Sequence, residues 1–481
     1  MNKINLSVEN SGKILKAIAL SLLVGGGPAL AATPEAKPNC VLILIDDMGY
    51  GDVGAFGSKV NRTPNIDRMA QEGMRMTSFY ASPVCTPSRA QFMTGCYAKR
   101  VSMAKVIFPE CPTGLSTNEN SVAKLLKGQG YATMCIGKWH LGDQREFLPI
   151  RHGFDHYYGL PYSNDMGGGE EDPKKDKRPP LPLMRDEKVI EAPAVQDTLT
   201  ARYTEEAVKF ITEHKDKPFF LYLPHTAVHT PLHPGANFRG KSRNGKYGDW
   251  VEEVDWSVGR VLDTLRELKL DQNTLVIFSS DNGPWLIRGK EGGSAGPLRG
   301  GKGSTWEGGM REPTIAWWPG HVPAGTACDA VTANIDILPT FVKLAGGEVP
   351  AKPVIDGKDI SPLLLGKAKN SPHEAFYYIL NNTVQAVRSG PWKLSLPVQI
   401  TTTHGTELAG QPLPTPCSTM RLYNLDTDIG EQQDVATQNP EIVKRLQGYL
   451  KAMDADLGLT EKGPGVRPEG RVSNPKPLLK E

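Results

Sequence analysis

The residues able to do hydrolytic chemistry fall in a few short blocks of this 481-residue chain. Asp46-Asp47 and Asp281-Asn282 offer three carboxylates and one amide oxygen. Hard divalent ions want oxygen donors, and calcium takes about six to eight of them. Adjacent aspartates on a regular strand point to opposite faces, so both meet one ion only where the strand ends and turns. Asp-Asp and Asp-Asn-Gly are also common turn sequences; context has to separate the two readings. GKWH (137–140) adds Lys138 and His140, and HTAVHTP (225–231) adds His225 and His229, with His233 close behind. Lys302 sits in GGKGSTWEGGMREP (300–313). Glycines there allow close backbone approach to a ligand, and a lysine among them reaches an anionic oxygen. This set suits attack on an anion by a hard oxygen nucleophile.

Cys85, within SPVCTPSRAQ (82–91), is harder to place. A disulfide partner, a thiol nucleophile and a chemically altered side chain are all open. A bare thiol has a pKa of about 8.5, lowered at a helix N-terminus or beside a cation such as Arg89. That permits a cysteine nucleophile with a histidine base. A soft thiolate beside hard oxygen ligands fits thiol-hydrolase logic poorly, and in an exported protein it risks oxidation. The chain has seven cysteines, irregularly spaced, so neither a disulfide scaffold nor a zinc ribbon is indicated.

The elements that must position these residues are legible as apolar runs. CVLILI (40–45), ATMCIG (132–137), FFLYL (219–223) and TLVIFSS (274–280) read as buried parallel strands, each ending in one of the polar blocks. Helix patterns lie between them: IDRMAQEG after Thr63-Pro64-Asn65, then 120–129, 200–215 and 250–270. Such alternation predicts an α/β fold, a large mostly parallel sheet flanked by helices. Ligands of these sheets bind beyond the carboxyl ends of the strands, where the four blocks converge. From about residue 375 the texture changes. FYYIL, TVQAVRSG and PWKLSLP read as short antiparallel strands before a helix over 440–458 and a Pro/Gly/Lys tail expected to be loose, together a smaller C-terminal α+β subdomain. The stretch 165–198 has no clear period and is expected to be a long loop.

Bulk properties narrow the partners. Lys3, Lys13 and Lys16 precede the apolar AIALSLLV, and Ala29-Leu30-Ala31 offers a cleavage site. Residues 1–31 therefore read as a signal peptide, followed by a catalytic domain over 33–374 and the subdomain over 375–481. The product is expected to be exported, periplasmic or secreted. Net charge is +2, and loss of a segment with three lysines and one glutamate leaves it near zero. No nucleic acid partner is indicated, because a polyanion held by bulk charge needs a basic surface. No run of about 20 apolar residues follows, so no membrane span is expected.

CTPSR followed by AQFMTG resembles the Cys-x-Pro-Ser-Arg motif of the formylglycine-dependent sulfatases. DDMGYGDVG, GKWHLG, HTPL, SSDNGP and GGKGSTWEGGMREP resemble their other blocks in the same order, and VQAVRSGPWKL and LYNLDTDIGEQQDVA extend the likeness into the small domain. The resemblance implies an alkaline-phosphatase-like fold. It also implies that a formylglycine-generating enzyme oxidises Cys85 to an aldehyde (3-oxoalanine), with Pro87 and Arg89 serving recognition and Arg89 then holding the product. Asp46, Asp47, Asp281, Asn282 and the converted Cys85 would hold one calcium ion. Lys138, Lys302 and the ion would neutralise sulfuryl oxygens, with Lys138, His229 and Lys302 binding substrate. His229, with Lys302, would protonate the leaving alcohol, and His140 would deprotonate the second hydroxyl of the aldehyde hydrate to expel sulfate. The implied substrate is a sulfated small molecule or glycan. A phosphonate or phosphate ester hydrolase sharing this machinery and a non-catalytic sulfated-glycan binder are the alternatives. His404, Trp285 and Arg288 are candidate lining residues.

Overall fold

A computed structural model describes residues 37–168, 178–397 and 419–480. Residues 1–31, expected to be a signal peptide, part of the 165–198 stretch and His404 lie outside the described residues. The main sheet has ten strands. Its centre is parallel: Thr274–Ser280, Asn39–Ile45, Phe219–Pro224, Ala132–Ile136 and His156–Gly159 lie side by side in that order. The first four are the apolar runs read from the sequence. Thr314–Trp317 and Met74–Met76 continue the sheet antiparallel on one side, with Thr326–Cys328 at the edge.

The alternation of side chains explains why both faces are covered. Val41, Ile43 and Ile45 join one apolar cluster; Cys40, Leu42 and Leu44 join the other. Helices Pro64–Glu72, Leu199–Glu213 and Gly245–Glu267 bury Ile66, Met69, Tyr203, Phe210, Val254 and Leu262 against the first face. Cys85–Thr94, Val122–Gly128 and Ile337–Leu344 bury Phe92, Leu126 and Phe341 against the second. Each fully buried residue of this size contributes about 1.5–3 kcal/mol, so a strand apolar on both faces is held firmly in register.

Two expectations need correction. The stretch 165–198 is not loop throughout: Leu183–Arg185 and Lys188–Glu191 form a hairpin that adds antiparallel to His156–Gly159 at the sheet's other edge. Strands of three and four residues are too short to show a period. The tail after the last helix, Pro440–Asp456, is not loose either. Gly470–Arg471 pairs antiparallel with Thr113–Gly114, and Arg467 forks onto Glu119 at 2.7 and 2.8 Å. Hydrogen bonds and charge fix it, which an apolar count does not register. Among the described residues no helix is long and apolar enough to cross a membrane.

The C-terminal strands Phe376–Leu380, Thr383–Ser389, Trp392–Ser395 and Arg421–Asn424 form a separate antiparallel sheet. It is joined to the body through Glu307, which is fully buried. Glu307 accepts from the Tyr80 hydroxyl at 2.5 Å, the Tyr378 hydroxyl at 2.7 Å and Lys393 Nζ at 3.1 Å. Lys393 Nζ also lies 2.7 Å from Glu431, which in turn accepts from the Glu307 backbone N–H at 2.8 Å. Burial works against the Glu307 charge, but Lys393, Arg388 and Arg311 outweigh it and lower its pKa to about 2. Since Glu307 belongs to the loop that carries Lys302, the small sheet clamps that loop in place. Removing one member of a buried ion cluster strands the others, at a cost of about 3 kcal/mol or more. Glu307→Ala should therefore lower unfolding free energy by that amount in urea melts; a loss under about 1 kcal/mol would mean the cluster is not the clamp.

Candidate active site

Four strand ends and one helix start meet at the carboxyl edge of the parallel sheet. Asp46 and Asp47 follow Asn39–Ile45, and the left-handed turn at Asp47 (φ 61°) is what brings two successive carboxylates to one side. His140 is left-handed as well (φ 62°). Non-glycine residues seldom adopt this region, and those that do cluster at functional sites. At Gly137 (φ 128°) a Cβ would stand 1.8 Å from the Pro224 carbonyl oxygen. Only glycine allows that approach, and it lets the Lys138 N–H donate to the same oxygen at 2.7 Å.

Cys85 opens the helix Cys85–Thr94 and is 3 % exposed. Arg89, one turn further on the same face, is completely buried. Its guanidinium donates to Asp281 Oδ2 at 3.0 and 2.7 Å and to the Lys138 carbonyl at 2.6 Å, and lies 3.5 Å from Asp46. Lys138 Nζ donates to Asp46 Oδ2 at 2.5 Å and to the Ser163 hydroxyl at 3.1 Å. Lys302 Nζ donates to Asp47 Oδ2 at 2.8 Å, and His229 Nε2 lies 3.7 Å from the same oxygen. Asn282 Nδ2 donates to Asp47 Oδ1 at 2.7 Å. Thus Cys85, Arg89, Lys138, His229, Lys302 and the three aspartates share one cluster, with His140 at its flank.

The charges set one another's protonation. Burial would raise the Asp46 pKa, but Lys138, His229, Arg89 and Lys302 hold it well below the carboxylate range. Burial pulls Lys302 down, yet Asp47 and its neighbours more than offset this and keep it a firm cation. Burial pushes the Cys85 thiol up against the pull of Lys138 and Lys302, so an unconverted Cys85 is a protonated thiol and a poor nucleophile. Burial, reinforced by Lys138 and Arg89, drives His140 well below its ordinary value. Its Nε2 faces the Ile107 carbonyl at 3.0 Å, so the proton sits there and the lone pair sits on Nδ1, which has no partner. Neutral His140 thus offers a buried, unpaired lone pair at Nδ1. His229 is lowered too, by burial and then by Lys302.

A hard cation suits this donor set. Asp46 Oδ1 and Asn282 Oδ1 are buried acceptors with no hydrogen-bond partner. Ligand atoms of Asp46, Asp47 and His229 lie within 4.8 Å of one another. An unpaired buried oxygen is costly, and a divalent ion would satisfy both orphans. Asp281 is turned toward Arg89 through Oδ2, while its Oδ1 faces the Asp47 N–H at 3.3 Å.

Above the cluster lies a cavity of about 210 Å³ whose lining includes Cys85, Asp165, His229, Trp285 and Lys302. Asp165 was not singled out from the sequence, because it lies in a stretch without periodic pattern. Burial raises its pKa, but His229, Lys138 and Lys302 outweigh this and lower it to about 2. Ser163, which holds Lys138, was missed because nothing in the short loop after His156–Gly159 signals its distant partner. Arg288 lies against the Trp285 ring, 4.2 Å from its centre. His225 faces away: its Nε2 is 3.2 Å from the Ser257 hydroxyl on the helix beneath. The six cysteines among the described residues are all free.

Comparison with known proteins agrees with this geometry. The sulfatase family model matches residues 38–347. N-acetylgalactosamine-6-sulfatase of Mus musculus is 42% identical over 404 residues, covering 80% of this chain and 75% of that one. Arylsulfatase A of Bos taurus is 38% identical over 471 residues, covering 91% and 92%. Among solved structures, the PsFucS1 sulfatase from Pseudoalteromonas sp. superposes with a TM-score of 0.80 at 31% identity, covering 87% of this chain and 90% of that one. With the motifs in one cluster and the match running through most of the chain, this protein belongs to the sulfatase family and is a sulfuric ester hydrolase.

Proposed function

We propose that the chain hydrolyses the sulfate ester of an aryl or carbohydrate alcohol through a formylglycine made from Cys85. One divalent ion, calcium, would be held by Asp46, Asp47, Asp281 and Asn282. The observation that carries this reading is Cys85 itself: a buried, protonated thiol at the floor of the cavity, beside Lys302 and His229. Left unconverted it has little nucleophilic power; as a hydrated aldehyde it is a hard oxygen nucleophile. An exported chain, with residues 1–31 removed, would meet its formylglycine-generating enzyme before or during transit. The name of the Mus musculus relative makes a sulfated amino sugar the first substrate to try.

When bound, the ion supplies Lewis-acid polarisation of oxygen. The protein groups do the rest. Lys138 and Lys302 present positive charge to the sulfuryl oxygens as the hydrate's hydroxyl attacks sulfur and the bond to the alcohol oxygen breaks. Lys302, kept protonated by Asp47, and His229 stand at the leaving oxygen and supply its proton, releasing the alcohol. The sulfate is now esterified to the former hydrate. His140 takes the proton of the remaining hydroxyl through Nδ1, the carbonyl re-forms, and the carbon–oxygen bond to sulfate breaks. Water then rehydrates the aldehyde.

Mass spectrometry, variant kinetics and thermal melts test this. Peptide mass spectrometry of host-made protein should find the aldehyde at position 85. Cys85→Ser should become sulfated once and stop, with multiple turnover down by about 10³-fold or more, since a plain ester has no elimination route. Sustained turnover by Cys85→Ser, or aryl phosphate hydrolysed faster than the matched sulfate, would refute the assignment. For the ion, chelation should lower the melting temperature and calcium should restore it. Excess ion at about 100 times its dissociation constant corresponds to about 2.7 kcal/mol. Asp46→Asn should abolish the shift, and a melting temperature indifferent to chelator and calcium would remove the ion from the scheme.

A further inference from the structure

Trp285 follows the Asp281-Asn282-Gly283-Pro284 corner and takes no part in the steps above. Its backbone is closely held. Pro284 O accepts from the Lys302 N–H at 2.9 Å, Trp285 O accepts from the Arg288 N–H at 2.9 Å, and a Cβ on Gly292 would stand 2.1 Å from that same oxygen. The main chain that carries the indole is therefore fixed. Lys302 Nζ lies 4.5 Å from the ring centre, and the His229 ring centre lies 5.2 Å away, tilted by 40°. Trp285 thus touches both groups that stand at the leaving oxygen, and it lines the cavity they share with Cys85.

The chemistry favours an indole at this place. Lys302 has a long flexible stem, and its carboxylate partner Asp47 is also a candidate ion ligand. Asp165 already brings one carboxylate to this cavity, and a further one against the ammonium would add to the repulsion of a sulfate ester. An aromatic face attracts a cation through its quadrupole while presenting no negative charge to the substrate and taking no proton. It also excludes water from one side of His229.

We propose that Trp285 is a positioning residue whose indole holds Lys302 and His229 at the leaving-oxygen side of the cavity. This rests on the sulfatase reading above. It predicts a dependence on the leaving group. An alkyl or sugar sulfate needs a proton on the departing oxygen, whereas 4-nitrophenyl sulfate departs as a stable phenolate. Trp285→Leu should lower kcat on the sugar ester by about 10-fold or more and leave kcat on the nitrophenyl ester nearly unchanged, with KM raised by a similar several-fold on both. Trp285→Phe, which keeps an aromatic face, should recover most of the loss. Equal losses on both esters, no loss on either, or a phenylalanine variant no better than leucine would overturn the proposal.

Binding of inorganic sulfate, measured by calorimetry, provides a readout without turnover. Leucine should weaken it several-fold and phenylalanine should restore it; unchanged affinity in the leucine variant overturns the proposal. If the unaltered protein cleaves no sulfate ester, the functional reading falls, and sulfate affinity alone then decides the role of Trp285.

Discussion

Three carboxylates and three basic side chains are buried against one another at the carboxyl edge of the sheet. Asp46, Asp47 and Asp281 are almost wholly removed from water, as are Arg89 and Lys138, with Lys302 closing the set. None of these charges could be buried alone, because each would face a desolvation penalty of several kcal/mol. Together they neutralise one another, and the surrounding chain is arranged to keep them within reach. Arg89 is the central tie. It links the helix that starts at Cys85 to the ends of three different strands.

That balance also has chemical meaning. Arg89, Lys138 and Lys302 are matched by Asp46, Asp47 and Asp281, and Asp165 brings a further carboxylate to the cavity, so the divalent ion proposed above would add positive charge that an anionic substrate complements. The lysines rest on the aspartates that would serve the ion, Lys138 on Asp46 and Lys302 on Asp47. The proposed ion and the lysines would thus share the same carboxylate oxygens, and an anionic ester would draw the lysines toward itself. Such a site is built for an anionic ester rather than for a neutral one.

Positioning is shared between rigid and clamped parts. Strand ends hold the aspartates and Lys138, and register fixes them because the strands are apolar on both faces. Lys302 has no strand behind it. Its loop is pinned by the Gly303 N–H donating to Pro83 O at 2.7 Å, next to Cys85, and by Glu307 in the buried cluster with the C-terminal sheet. The small subdomain therefore braces the Lys302 loop, and none of its described residues belongs to the cluster.

The sequence by itself determined the central strands, the helices that cover them and the blocks of polar residues at the strand ends. Those features are local: an apolar run, a period, and a polar stop are written in consecutive residues. The same holds for Cys85 and Arg89, one helical turn apart. Only the tertiary structure decided which charge faces which. His225 and His229 look alike in sequence, but the first packs beneath the sheet on Ser257 while the second faces Asp47. Ser163, Asp165 and Glu307 likewise carry no local signal, since their partners lie in distant segments. Electrostatic pairing is a matter of distance in space, and no spacing along the chain encodes it until the sheet has closed.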